Sequence, residues 1–454
     1  MVLLDIVLRA RDLQAFYGDQ GMLSRQLCFT QWWAQGGFSP ILAAGSTTGL
    51  LALFCFWAMA ATCLMIGYKT RVAGFATWLF VVAIQLRNPM VLHGGDEILR
   101  VLLFWTPFLP LGARWSVDAR EHLEWRRLPN SYRSVATVGV YLQVTLFYFF
   151  AGLLKTGDDW WKTGDALYYA VSIDQFTTTF GKYLSQFPEH LRPFTFAALA
   201  LEFALAVLLM LPARWHWARP TFLVMATLFH LAIASLFHLG LFMPTVIICL
   251  LVFVPASWWG QHEDGAPEAG GETLPGYKLG RPAQVFCGFI CFYLLYVNIY
   301  SIKAGHKLSN WAKAVAMVTY EHQHWHFFAP NPFREDGFFK LELTLESGET
   351  LDALQVAPLI EGRPELASAR FYNQRWRRWM QNLIQIDIPD NRAWRKSTLD
   401  YLLKRWKSRN PERKVRAASL LFVMEKTPPP GRPLEQETLV LASSKDAPVE
   451  MKHR

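Results

Sequence analysis

Long apolar segments constrain the fold of this chain more than any other feature. Eight of them have lengths near the roughly 20 residues that an α-helix needs to cross the hydrocarbon core of a bilayer. They are Ile41–Ile66, Val72–Leu86, Ile98–Leu111, Val135–Leu154, Phe194–Leu211, Thr221–Phe237, Leu241–Trp259 and Val285–Ile302. Because lipid offers no hydrogen-bond partner to a backbone, segments that cross it are helical. The sequence therefore predicts an all-α polytopic membrane bundle of about eight spans over residues 41–303.

The N-terminal residues 1–40 contain no complete span. Met1–Leu8 is apolar but too short to cross a bilayer, and no signal-peptide cleavage site follows it. Two interpretations stay open for this segment. It is the end of a truncated ninth span, or it lies outside the bundle at the membrane interface.

The distribution of charge predicts the orientation of the bundle. The formal net charge is +9, and only 18% of the residues are charged, against about 25% in soluble proteins. Basic residues concentrate in alternate short loops such as Arg114–Arg133, whereas Asn88–Asp96 contains none. This asymmetry follows the positive-inside rule and argues against a nucleic-acid partner. It predicts a multi-pass protein of the cell membrane with its C-terminal region on the non-cytoplasmic side.

From residue 304 the pattern changes to that of a small external α+β domain. The predicted elements are strands at Phe338–Leu345, Leu351–Leu354 and Ala417–Met424 and amphipathic helices at Phe371–Ile386 and Arg392–Ser408. Glu346–Glu349 is a hairpin turn between the first two strands. The domain is predicted to cover residues 304–426. Residues 427–454, which include three consecutive prolines, are predicted to be a disordered tail.

Lys155 stands where the apolar segment Val135–Leu154 ends, and Asp159 and Trp160 follow it closely. One interpretation is a snorkelling anchor, whose ammonium group reaches the lipid headgroups. The other is a poorly solvated amine that can act as a base. Position alone favours the anchor, because lysines at helix ends commonly take that role.

Other polar groups lie within or beside the apolar segments. Glu202 is an intramembrane carboxylate, which predicts a functional site or a structural pair with an arginine or a tyrosine. His93 lies in a glycine-rich external turn that lets the backbone approach a ligand closely, and Asp96 in the same turn can cap a helix. His230 is either a packing residue or a ligand. His322-Gln-His-Trp-His326 would suit a metal in an extended strand, but apart from Glu321 no fourth ligand is near, so no metal is expected.

The order and spacing of several short motifs resemble the vitamin K-dependent γ-glutamyl carboxylase family and its bacterial relatives, the horizontally transferred transmembrane domain (HTTM) proteins. The resemblance covers roughly residues 4–352. The motifs that carry it are Phe16-Tyr-Gly-Asp-Gln-Gly21, Leu92-His-Gly-Gly-Asp96, Phe108-Leu-Pro-Leu-Gly-Ala-Arg-Trp-Ser-Val-Asp118, Tyr148-Phe-Phe-Ala-Gly-Leu-Leu-Lys155 with Asp159-Trp160, His230 with Leu236-Phe-His-Leu-Gly-Leu-Phe242, and Phe327-Phe-Ala-Pro-Asn-Pro332.

This resemblance implies a site and a chemistry. Lys155 would be the base that deprotonates reduced vitamin K or a related quinol, and His93 would assist it. The other residues expected at the quinol site are His230, Glu202, Asp159, Trp160 and Asp96. In the family the quinol anion reacts with oxygen, and the resulting alkoxide removes a γ-proton from a glutamate, which then takes up carbon dioxide. The implied partners are a membrane quinone or other lipid and a protein or peptide glutamate.

Three departures from the family pattern limit what is carried over. Leu92 replaces the asparagine that precedes the family histidine. The family disulfide cannot form, since no cysteine follows Cys291. The external domain is much shorter than that of the animal enzyme, so recognition of a propeptide is not expected. The prediction is therefore oxygenation of a quinol, with or without glutamate carboxylation.

A non-enzymatic alternative is a membrane scaffold or lipid-binding protein of the same fold, with Lys155 as a membrane anchor. A transporter has less support, because the sequence contains no inverted internal repeat and no matched pair of broken helices.

Overall fold

A computed structural model describes the protein at residues 1–30, 39–122, 132–212, 214–255, 258, 279–302, 308–323, 325–354, 364–385, 391–429 and 434–445. Its helices are α1 (Val2–Ala10), α2 (Leu13–Tyr17), α3 (Arg25–Phe29), α4 (Thr47–Ile66), α5 (Thr70–Arg87), α6 (Gly94–Leu103), α7 (Val117–Glu121), α8 (Val135–Leu153), α9 (Asp158–Trp161), α10 (Ala166–Val171), α11 (Thr179–Leu184), α12 (Pro188–Met210), α13 (Ala218–Leu236), α14 (Phe242–Leu250), α15 (Arg281–Ser301), α16 (Asn310–Thr319), α17 (Gln374–Gln385) and α18 (Asn391–Arg409). The strands are β1 (Glu335–Leu345), β2 (Thr350–Asp352), β3 (Val415–Lys426) and β4 (Glu435–Ser443).

Among the described residues, five helices are long and apolar enough to cross a membrane: α4, α8, α12, α13 and α15. A shorter apolar helical segment covers Phe242–Phe253. The prediction of a helical membrane protein is thus supported, whereas the prediction of about eight spans is not confirmed. One predicted span is cut short because α6 ends at Leu103, ahead of Pro107 and Pro110, which cannot continue a helix. Helix α5, which covers another predicted span, buries the polar side chains of Gln85 and Arg87 within the protein.

Helix α8 is the centre of the bundle. About 67% of the most apolar stretch of this helix is buried within the protein, compared with 22% of the corresponding stretches of α4 and α13. It packs against α12 on one side and α15 on another. Because so little of α8 faces outward, polar groups on this helix are held against protein side chains and are kept from lipid and water. The end of α8 is where Lys155 follows.

The C-terminal unit is an antiparallel sheet with strand order β2-β1-β3-β4, accompanied by α17 and α18. The predicted strands and both predicted amphipathic helices are present within a few residues of their expected bounds. The predicted turn is also present: the Leu345 amide donates to the Glu349 carbonyl, and Gly348 adopts a φ of +87°, which glycine tolerates without strain.

The prediction of a disordered tail over residues 427–454 is wrong for part of that segment. β4 lies within it and pairs with β3, with Phe422 opposite Leu439 and Val423 opposite Thr438. The prolines at 428–430 suggested disorder, but the following Thr438-Leu-Val-Leu441 supplies a strand with a neighbour to pair with. Residues 446–454 lie outside the described residues.

The N-terminal segment contacts both parts of the protein. α1 packs beside α4, and its Asp5 and Arg9 side chains are buried. Arg9 donates to Asp96 at 2.6 Å, and Arg375 of α17 donates to Asp5 at 2.5 Å and to Asp96 at 2.9 Å. We call these two aspartates and two arginines the ionic cluster. It joins the N-terminal helix, the start of α6 and the C-terminal unit.

A carboxyl group on β1 makes the stability of this unit depend on pH. Asp336 is buried, its Oδ2 atom has no hydrogen-bond partner among the described residues, and Glu425 is its cross-strand partner. Burial, with the charges of Asp174 and Glu425, raises the pKa of Asp336 to about 8. The folded protein therefore holds a proton that an unfolded chain has lost between pH values of about 4 and about 8. The free energy of unfolding of the protein therefore falls as the pH rises from about 4 to about 8.

Asp336→Asn is expected to raise the melting temperature, by several degrees more at about pH 8.5 than at about pH 5.5, because the amide never ionises. Thermal unfolding of the detergent-solubilised protein at both pH values measures this difference. Glu335→Gln is the matched control, since Glu335 is the neighbouring exposed carboxylate. An equal change at both pH values would show that Asp336 is ionised throughout.

Candidate functional site

Lys155 lies directly beyond the C-terminal end of α8 and turns its side chain back into the bundle. Its Nζ atom donates to the carbonyl oxygen of Ala151 at 2.8 Å and to both carboxylate oxygens of Glu202 at 2.8 Å. Only 3% of Lys155 is exposed. A helix leaves its last carbonyls without partners, and an ammonium group satisfies one of them here. The position is therefore not that of an anchor reaching toward headgroups.

Glu202 comes from the middle of α12 and is buried. A carboxylate at that depth is costly unless a cation meets it, and Lys155 supplies the cation. The sequence left open whether Glu202 serves a functional site or a structural pair. The structure shows the pair, and this pair connects α8 to α12.

The segment after Lys155 holds the lysine in place. The Lys155 ammonium group lies 5.1 Å from the centre of the Trp160 ring, and the Trp161 indole donates to the Lys155 carbonyl at 2.6 Å. Trp160 in turn donates to the carbonyl of Phe328 at 3.0 Å. Asp159 pairs with Arg334 at 2.9 Å. Trp160 therefore belongs to the lysine site, whereas Asp159 fixes the surrounding segment.

Tyr148 adds a residue to the site that the sequence did not single out. Its hydroxyl lies 2.9 Å from Nε2 of His230, and both side chains are almost fully buried. The Glu202 carboxylate is close enough to act electrostatically on this hydroxyl. Tyr148 precedes Lys155 by seven residues, a spacing of about two helical turns that would place both on one face of a helix extending to Lys155. That spacing within the quoted motif was the available signal.

His93 occupies a different place, at the start of α6. It caps the helix: its Nδ1 atom accepts from the Gly95 amide at 3.0 Å, while the Asp96 carboxylate accepts from the His93 amide at 3.0 Å. The predicted cap by Asp96 is confirmed. Burial lowers the pKa of His93 to about 4, so the imidazole is neutral near pH 7. Burial opposes ionisation of Asp96, but the charges of Arg375 and Arg9 outweigh it and lower its pKa below the usual value.

Phe242 lies between the His93 turn and His230. A Cβ atom on Gly95 would stand 2.8 Å from the Phe242 Cα atom, and one on Gly94 would stand 2.6 Å from the Phe327 ring. The ring centres of Phe242 and His230 are 6.4 Å apart. The two glycines thus leave room for aromatic residues of the protein itself, whereas the sequence suggested that they leave room for a ligand. The structure unites Lys155, Glu202, Trp160, Tyr148 and His230, while His93 and Asp96 form a second group with the ionic cluster.

A small cavity opens beside Tyr148. Its walls are mainly apolar side chains of α6, α8 and α14, together with Trp325, and its polar members include Gln143 and Tyr148. The volume is about 20 Å³, enough for about one water molecule. Nδ1 of His230 and Nε2 of Gln143 are buried without a hydrogen-bond partner among the described residues. Gln143 lines the cavity and His230 is hydrogen-bonded to the cavity residue Tyr148, so unpaired polar atoms accompany its apolar walls.

The described residues contain no group of three or more His, Cys, Asp or Glu side chains placed to hold a metal ion. His322 and His326 do not lie in a strand. Residue 324, the middle histidine of that motif, is outside the described residues.

Comparison with known proteins gives one match. Residues 36–258 match the model of the HTTM domain. No curated protein and no solved structure gives a significant match to the chain. Lys155, Glu202, Tyr148, His230 and His93 all lie within the matched range. Over slightly less than half of its length, this chain therefore matches the HTTM domain.

Proposed function

We propose that this protein is a membrane enzyme that deprotonates a quinol, with Lys155 as the base. The observation that carries the proposal is the buried Lys155–Glu202 pair, held 2.8 Å apart beside the Tyr148–His230 hydrogen bond. HTTM domains are associated with the vitamin K-dependent carboxylase family, and the match over residues 36–258 supports the same class of chemistry.

The pair offers a physical route to a neutral amine. In a poorly solvated site an ammonium–carboxylate pair and a neutral amine–carboxylic acid pair are closer in free energy than they are in water. When the shared proton rests on Glu202, the Lys155 nitrogen has a free lone pair. A substrate hydroxyl beside it can then lose its proton: the O–H bond breaks and an N–H bond forms at Nζ. The Ala151 carbonyl and the Trp160 ring stabilise the ammonium group that results.

Other side chains fit a quinol in chemical type. Tyr148 and His230 offer hydrogen bonds to a ring oxygen, and the aromatic residues nearby suit a ring and an isoprenoid tail. When bound, a deprotonated quinol would supply the ring atoms that react with molecular oxygen. The cavity beside Tyr148 is smaller than such a ring, so binding requires neighbouring aromatic side chains such as Phe147 to move.

Sidedness and second substrates follow from the same proposal. The positive-inside pattern supports a C-terminal unit on the non-cytoplasmic side. A peptide or protein glutamate would then approach from that side, and the proposal holds with or without its carboxylation.

One observation also favours a scaffold. The Lys155 ammonium group has three oxygen acceptors at 2.8 Å, so its hydrogen-bonding capacity is filled and the pair could serve only to join α8 and α12. A non-catalytic membrane protein that binds lipid would need nothing more from Lys155.

Formation of vitamin K epoxide from reduced vitamin K and oxygen tests the proposal, with the purified protein in lipid nanodiscs. We expect epoxide from the parent and a loss of at least about 100-fold in Lys155→Ala, the usual scale for removing a general base. Lys162→Ala is the matched control, because the Lys162 side chain is 73% exposed and lies in the same segment. Equal rates in parent and Lys155→Ala, or no epoxide from the parent, would overturn the proposal.

A further inference from the structure

A second buried acid lies outside the lysine site. Glu321 is 0% exposed, and neither of its carboxylate oxygens has a hydrogen-bond partner among the described residues. It follows α16 in a segment that enters the bundle: the neighbouring His322 carbonyl accepts from Arg100 at 2.7 Å. Because a buried charge without hydrogen bonds is costly, burial raises the pKa of Glu321 well above its usual value.

The groups around Glu321 offer donors without acceptors. Tyr293 on α15 is fully buried, and its hydroxyl has no partner among the described residues; the same holds for Nε of Arg100 on α6. The Glu321 charge acts on Tyr293, and the charges of Arg100 and Glu97 act on Glu321. Buried donors and a buried carboxyl group that all lack hydrogen-bond partners are commonly bridged by ordered water. The Arg100 guanidinium opposes a metal cation at this place, whereas a proton only neutralises the acid.

A chain of side-chain hydrogen bonds leads from this region to the cavity beside Tyr148. Gln323, two residues after Glu321, donates to Gln143 of α8 at 2.9 Å and accepts from Asn298 at 3.2 Å. Gln143 lines the cavity together with Tyr148, and its own Nε2 atom is without a partner among the described residues. Tyr148 continues the chain to His230, and the charge of Glu202 acts on its hydroxyl. Buried polar side chains therefore extend from Gln323, two residues after Glu321, to the cavity that holds about one water and to Tyr148.

We propose that Glu321 is a buried proton-binding site that supplies a proton to the cavity beside Tyr148. In the transfer the O–H bond of the Glu321 carboxyl group breaks and the proton passes to a water molecule at Glu321, which releases a proton in turn toward the cavity lined by Gln143 and Tyr148. The carboxylate left behind is offset by Arg100, and a proton from the solvent replaces each one that is delivered. The presence of the protonated acid is independent of the activity, whereas its use during turnover rests on the proposed quinol chemistry.

Infrared spectroscopy of the protein in nanodiscs tests for the protonated acid. Near pH 7 we expect carbonyl bands of two protonated carboxyl groups, one from Asp336, whose burial raises its pKa to about 8, and one that shifts in D₂O and is lost only in Glu321→Gln. Tyr293→Phe should keep this band but move its frequency, because a buried hydroxyl group on which the Glu321 charge acts is lost. That variant gives the assignment if Glu321→Gln fails to fold. Identical spectra for the parent and all folded variants would overturn the proton site.

The connection to the lysine site has its own test. Gln143→Leu removes the link at the cavity and leaves Glu321 in place, so it should keep the infrared band while lowering epoxide formation at least about tenfold. Leu102→Ala is a control that alters the same cavity wall without removing a polar group. A Gln143→Leu rate equal to that of the control would overturn the proton supply. Absence of epoxide from the parent would defeat the quinol proposal and leave the infrared result standing.

Discussion

Lys155→Arg is expected to abolish turnover of reduced vitamin K while leaving the protein folded. Arginine keeps a positive charge for Glu202, so the connection between α8 and α12 persists. A guanidinium group cannot lose its proton at working pH, however, and therefore cannot act as a base. We expect epoxide formation to fall by about 100-fold or more. The loss of melting temperature should be smaller than that of Lys155→Ala, which leaves the Glu202 carboxylate buried without a cation.

Two measurements on the same preparations decide between base and scaffold. Epoxide formation reports the base, and thermal unfolding in detergent reports the ion pair. Lys162→Arg serves as the control for a lysine-to-arginine change in the same exposed segment. A Lys155→Arg protein with the parent rate would show that Lys155 only joins the two helices.

Glu202 sharpens this comparison. Glu202→Gln should destabilise the protein, because the Lys155 ammonium group then lacks its anion. The double variant Lys155→Met with Glu202→Leu should be more stable than either single variant, since removing both partners of a buried pair avoids an unpaired charge. If the double change costs as much stability as the two single changes added together, the two groups do not depend on each other.

Arg375→Ala is expected to produce the largest loss of stability among the variants considered. Arg375 is buried and donates to Asp5 and Asp96, while Arg9 is the other arginine of the ionic cluster. Its removal leaves two buried carboxylates with one cation. Breaking a buried ion pair in this way costs about 3–5 kcal/mol. The unit that carries α17 should then separate more readily from α1 and α6.

Denaturant or thermal unfolding measures this loss, and limited proteolysis shows whether the C-terminal unit detaches first. Arg413→Ala is the matched control: Arg413 pairs with Glu349, and both side chains are about half exposed. Such surface pairs contribute between about 0 and 1 kcal/mol. If Arg375→Ala and Arg413→Ala destabilise the protein equally, the ionic cluster does not hold the units together.

Local patterns in the sequence predicted most of the secondary structure. Apolar runs identified the long helices, and alternation identified β1 and β3 together with the hairpin turn between β1 and β2. The count of about eight spans is not confirmed, because the same apolar composition also occurs in helices that prolines cut short, as at α6. The prediction of a disordered tail failed at β4 because a strand is stable only when it pairs with a neighbouring strand. Composition does not show which strand will be its neighbour.

The candidate site was likewise predicted only in part from the sequence. Lys155, Glu202 and His230 each stood out as polar groups in apolar surroundings, and the motif order brought them together as one resemblance. Their contacts could not be read from the chain, because 47 residues separate Lys155 from Glu202 and 82 separate Tyr148 from His230. His93 was expected beside them, yet packing of Phe242 keeps it apart.

The sequence by itself determined that this is a membrane protein with a helical bundle, a small α+β unit and rare ionisable groups at membrane depth. Those features follow from hydrophobicity and periodicity, which act over a few residues. Tertiary structure alone decided which charges meet. It made Lys155, for which the sequence offered an anchor or a base, the partner of Glu202. It placed His93 beside the ionic cluster to which Asp96 belongs, and it buried the Glu321 carboxylate without a hydrogen-bond partner among the described residues. The physical reason is that a buried charge is stabilised or destabilised by its neighbours in space, and those neighbours come from distant parts of the chain.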